Sequence, residues 1–119
     1  MTSNTGKKYT VFEREIIKAR NAALERDLVL AQTKLRYLMI HVGSDIVPLP
    51  PEASFLSEKQ KHEIKQDVVE NYDNSIDELI VDEQKKTPHV CLAQIRREIT
   101  NGMICYMFHY VMKLQSEIS

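Results

Sequence analysis

Four side chains in the sequence are of the types that hold a metal. They form two pairs, His89-x-Cys91 and Cys105-x3-His109. Thiolate and imidazole are the usual ligands of zinc. Cys105 and His109, four residues apart, would share one face of a helix. The spacing between the pairs works against a single site. On a continuous helix Cys91 and Cys105 stand about 21 Å apart. A tetrahedral site would need two chains, or a helix that breaks at Asn101-Gly102. The competing reading is two cysteines acting as small hydrophobes and a histidine at a polar edge. His109 with Met103, Met107 and Met112 could also line a ligand pocket, but methionines at helical spacing more often form core.

Other chemistry has less to stand on. There is no Gly-rich phosphate loop, no serine elbow and no His-Glu-x-x-His pair. The carboxylates are spread along the chain rather than paired. We expect a protein that is not an enzyme and needs no cofactor. Phosphate contacts would fall to Lys7, Lys8, Arg14, Lys18 and Arg20, with Arg96 and Arg97 further on. The net charge is −1, so no overall basicity draws the chain to nucleic acid. Such charges are usually a solvated face, and a nucleic-acid partner is disfavoured.

Charge is distributed unevenly. Residues 1–42 carry eight Lys and Arg against four Asp and Glu, and residues 43–87 carry five against eleven. A basic first third and an acidic middle third suit neighbouring helices of one bundle.

The residues that demand an explanation are apolar. The stretch "MICYMFHYVMKL", residues 103–114, is apolar or aromatic at ten of twelve positions. It is too short to span a membrane, so protein must cover it. The first residues have no apolar core of a signal peptide, and two cysteines make no disulfide framework. Cytoplasm or nucleus is expected.

The elements that position these residues read as helices. With 119 residues the chain suits one domain, taken as 9–119 after a disordered basic tail at 1–8. Thr10 with Glu13 forms a capping box, and nothing breaks the pattern until Gly43, giving a helix over 11–42. It has two apolar stripes. One holds Ile17, Leu24, Leu28, Ala31, Leu35, Leu38 and Val42 at heptad spacing; the other holds Phe12, Ile16, Ala19, Ala23, Leu30 and Tyr37. Two stripes suit a helix lying between two neighbours. Pro48, Pro50 and Pro51 make 43–56 a linker, with Ile46, Val47, Phe55 and Leu56 expected to tuck onto the bundle. Ser57 and Gln60 cap a helix over 57–85, although Ser75 and Glu78 could cap a fourth helix after a break near 73–75. Thr87-Pro88 fits an N-cap and first turn, opening a helix over 88–117.

The fold class is therefore all-α, a bundle of three long helices running up-down-up and packed in an oligomer. The third helix lacks the wet third of its surface that a three-helix bundle leaves. The chain is read as an interaction or assembly subunit, joined to a second copy or to another helical chain. Ile104, Met107, Phe108, Val111 and Met112 would form the interface, helped by the heptad residues Leu24, Leu28, Leu35 and Leu38. A metal- or ligand-binding bundle using Cys105 and His109 is the alternative, and a nucleic-acid-associated subunit using the basic first helix is the second.

Overall fold

A computed structural model describes residues 10–52 and 55–118. The tail at 1–8, Lys7 and Lys8 included, lies outside the described residues. Among the described residues there are three helices: α1 (Val11–Val42), α2 (Glu58–Lys86) and α3 (Leu92–Glu117), each packed against the other two. The protein is an all-α three-helix bundle.

Local chemistry sets most helix ends. The Thr10 hydroxyl accepts from the Glu13 N–H at 3.0 Å, and the Glu13 carboxylate accepts from the Thr10 N–H at 3.4 Å. Ser57 and Gln60 repeat the arrangement at 3.1 and 2.9 Å. Each box satisfies two amides that the first turn leaves without helical partners. At the end of α1, Gly43 takes a φ of 66°, a left-handed geometry that a β-carbon would strain. The Gly43 and Ser44 N–H groups then donate to the Ile40 and Met39 carbonyls, closing the last turn.

One expected boundary differs, and the alternative of a break in α2 is not realised. α2 does not break near 73–75, and no fourth helix forms there. Ser75 turns its hydroxyl back onto the Asn71 carbonyl, 2.7 Å away, so it stays within the helix instead of capping a new one. α3 opens at Leu92, not at 88. Thr87 donates both its N–H and its hydroxyl to the Glu83 carbonyl, each at 3.0 Å, and so finishes α2. Pro88 falls in the turn that follows, and Cys91 caps α3 without a side-chain hydrogen bond. α3 continues through Asn101-Gly102 without interruption.

The helix directions also differ from up-down-up. Tyr72 meets Thr100, and Asp77 meets Arg96, so α2 and α3 are antiparallel. Residues 42–46 face 93–101, whereas Asp27, Leu30 and Ala31 face Met107 and Tyr110, so α1 and α3 are antiparallel as well. α1 and α2 therefore run the same way. The linker makes this possible by doubling back along α1. Arg36 donates to the Pro50 carbonyl at 3.0 Å, and Glu52 meets Lys61 at 2.6 Å. Extended proline-rich chain covers about 3.3 Å per residue, enough to return most of a helix length. Val47 packs against the core, while Ile46 and Phe55 stay exposed instead of tucking in.

The core runs the length of the shared region. Leu35 and Met39 of α1, Tyr72, Ile76 and Ile80 of α2, and Ile95, Ile104, Val111 and Leu114 of α3 are buried together. Tyr72 is its node. The ring edge meets His41 of α1 at a centroid distance of 5.7 Å, and its hydroxyl shares a 2.7 Å hydrogen bond with Thr100 of α3. His41 shares a 2.9 Å hydrogen bond with Asp73, and the acidic α2 is offset by Arg96, 3.1 Å from Asp77, and by Lys85 and Lys86 in its last turn.

The molecule is long. Its radius of gyration is 19.4 Å, against about 13.5 Å for a compact chain of this length. No residue of α1 before Ala31 is fully buried, and from Val11 to Arg20 only Ile17 is even partly covered. The first turns of α1 reach past the part of the bundle that has a core.

Candidate functional site

The apolar stretch of α3 divides by side. Ile104, with no exposed surface, and Val111 point into the core of their own chain, as do Leu35 and Leu38 of α1. Leu24 and Leu28 pack partly against the same core. These six of the nine expected interface residues are consumed in holding α1 to α3, because the heptad stripe of α1 is the face that α2 and α3 cover. Met107 and Phe108 are half-buried and Met112 is exposed. The stretch turns a different row toward the surface: Met103, Tyr106, Met107 and Tyr110, at i, i+3, i+4 and i+7, with the two methionines half-buried against the core and the two tyrosines exposed. Tyr106 is 75% exposed and Tyr110 44%.

Met103, Tyr106 and Met107 of this row line a groove of about 520 Å³ where all three helices meet. Lys34 and Leu38 come from α1, Val68, Asn71, Tyr72 and Ser75 from α2, and Gly102, Met103, Tyr106 and Met107 from α3. A smaller groove of about 300 Å³ continues along α1 and α3, between Asp27, Leu30, Ala31 and Lys34 on one wall and Met107 and Tyr110 on the other. Lys34 and Met107 belong to both. The grooves form an apolar channel whose ionisable groups are Asp27 and Lys34 at its α1 rim and the tyrosines.

Gly102 shapes its end. A β-carbon there would meet nothing within 4 Å, so the missing side chain leaves the α3 surface open. Tyrosine and methionine are the residues that interface cores favour.

The metal reading fares less well. Cys105 is half-buried and His109 is exposed beside the Phe108 ring, whose centroid lies 6.3 Å from its own. His89 and Cys91 sit in and after the turn before α3, both exposed. With α3 unbroken, His89 and Cys91 before its first turn stay far along the axis from Cys105 and His109 within it. Among the described residues no third His, Cys, Asp or Glu joins Cys105 and His109. Helical continuity through Gly102 is the reason.

Among the described residues, the expected phosphate contacts do not form one patch. Arg14, Lys18 and Arg20 are exposed on the first turns of α1, interleaved with Glu13 and Glu15, and Lys18 lies 4.0 Å from Glu15. The Lys61 ammonium holds the Glu52 carboxyl below its ordinary value by hydrogen bonding and charge, and Glu52 in turn raises Lys61. Both fasten the returning linker to α2. No helix among the described residues is long and apolar enough to cross a membrane.

The chain matches no family model, no curated protein and no solved structure. The grooves are therefore read from their own chemistry.

Proposed function

We propose that this protein is a non-enzymatic interaction subunit whose α3–α1 groove is covered by another helical chain. One observation carries the reading: a tyrosine- and methionine-lined groove at the meeting of three helices, with Tyr106 standing three-quarters exposed above it. Exposed apolar surface of this kind costs free energy in water and marks sites of association. The lining is apolar but the rim carries Asp27 and Lys34, the arrangement of an interface with a dry centre and a polar edge. The occupant is a helix, since a shallow groove between helices accepts the ridge of another.

The test compares wild-type protein with Tyr106→Glu by light-scattering mass. The side chain contributes little to the chain's own core, so folding should survive. Loss of the associated species with unchanged helicity supports the reading. Association that ignores Tyr106→Glu places the contact elsewhere and overturns it.

A further inference from the structure

We infer that the helix filling this groove is α1 of a second copy, running antiparallel about a two-fold axis beside Ala23; this rests on the groove being an interaction site. Three observations converge on it. The first is the unsupported start of α1. Phe12 is 75% exposed and Ile16 53%, on turns that have no core beneath them. Isolated helical turns of this length are marginal in water, so an apolar, capped overhang is a helix prepared for a neighbour.

The second is a column of charge along α1. Glu13, Arg20, Asp27 and Lys34 follow one another at intervals of seven, alternating in sign. All four are exposed, and none makes an ion pair within the chain among the described residues. A parallel, in-register pair of α1 helices would set each charge against its own kind. An antiparallel pair can set every charge against its opposite. Glu13 with Lys34, and Arg20 with Asp27, are symmetric about the same point, between Ala23 and Leu24. One two-fold axis there satisfies both pairs in both copies, as an isologous contact requires. Ala19 and Ala23, small and facing the same way as Phe12 and Ile16, let the backbones approach near the axis.

The third is where that axis sends the overhang. It lays Ile16 and Phe12 of one copy level with Ala31 and Leu35 of the other, on either side of Lys34 at the rim of both grooves and beside Met107 and Tyr110. An aromatic side chain offers about 150–250 Å². At their observed exposures Phe12, Tyr106 and Tyr110 supply roughly 400 Å² per protomer, about half of what a standard interface takes from each partner. Val11, Ile16, Leu30 and Met112 add to this.

Charge reversal tests the register without touching the core. Sedimentation equilibrium should show a dimer whose dissociation constant rises about tenfold in Arg20→Glu, because two attractive pairs become repulsive, and returns to within about twofold of wild type in Arg20→Glu with Asp27→Arg. In a background of Cys91→Ser and Cys105→Ser, Ala23→Cys should form a disulfide-linked dimer, whereas Ile16→Cys should not link to itself. A dimer lost in Tyr106→Glu but indifferent to Arg20→Glu would leave the groove as an interface and overturn its pairing with α1. A dimer linked through Ile16→Cys would show parallel helices and overturn it too. A chain that stays monomeric overturns it outright.

Discussion

Ile104 separates the two roles that the apolar stretch of α3 could play. It has no exposed surface and lies in the core with Leu35 and Met39. Ile104→Ala removes three carbons. Their transfer to water costs about 2.4 kcal/mol at 0.8 per methylene. The cavity they leave adds more, so the total should be about 3–4 kcal/mol, within the range for such truncations. Unfolding entropy scales with chain length at about 2.1 cal/mol/K per residue, which for this chain gives a fall in Tm of about 14 °C. Urea unfolding followed by circular dichroism would read the stability. It should be done at one fixed protein concentration, because association adds concentration-dependent stability. Tyr106→Ala supplies the contrast, since an exposed side chain in the single chain should cost no more than about 0.5 kcal/mol. A loss below about 1 kcal/mol in Ile104→Ala, accompanied by dissociation, would refute the division of α3 into a core side and an interface side.

Two further predictions concern what joins the helices. Tyr72→Phe leaves the buried Thr100 hydroxyl without its partner and should cost about 1–2 kcal/mol; adding Thr100→Val should cost less than the two single changes together, and strict additivity would show that the hydroxyls are not coupled. Glu52 has a lowered pKa, so its contribution to stability is present above the ordinary carboxyl pKa and is lost as pH falls through the lower folded value. Nuclear magnetic resonance titration should show this depression, and Glu52→Gln should remove the acid-side loss that belongs to the linker; an ordinary carboxyl titration would contradict the Lys61 contact.

The parts of the fold that were legible in the sequence are those decided within a few residues. Thr10 with Glu13, Ser57 with Gln60, and Gly43 act on the backbone beside them, and the helix ends follow. Thr87-Pro88 has the same local signature, yet the Thr87 hydroxyl bonds backward to Glu83. One residue can close a helix or open one, and the spacing alone carries no preference. The helix directions were less legible, because they depend on where fourteen residues of linker travel. Pro48, Pro50 and Pro51 say that the chain is extended; only Arg36 meeting Pro50 and Lys61 meeting Glu52 say that it returns.

The candidate site was half legible for a similar reason. That residues 103–114 are too apolar for a helix with a wet face is a property of composition. Which of them face out is set by how α1 and α2 lie against α3, so Ile104 and Val111 turned inward and Tyr106 turned out. The alternating column of Glu13, Arg20, Asp27 and Lys34 was visible in the sequence throughout. Its meaning depends on the fold, which occupies the heptad stripe of α1 within the chain and leaves the neighbouring face exposed.

The most direct measurement is the mass of the wild-type protein in solution, by light scattering after gel filtration, at concentrations spanning the micromolar range. The account predicts a species of about twice 13.8 kDa that gives way to monomer on dilution and does so sooner at high salt, where the α1 charge pairs are screened. A mass of 13.8 kDa at every concentration would contradict self-association through the groove.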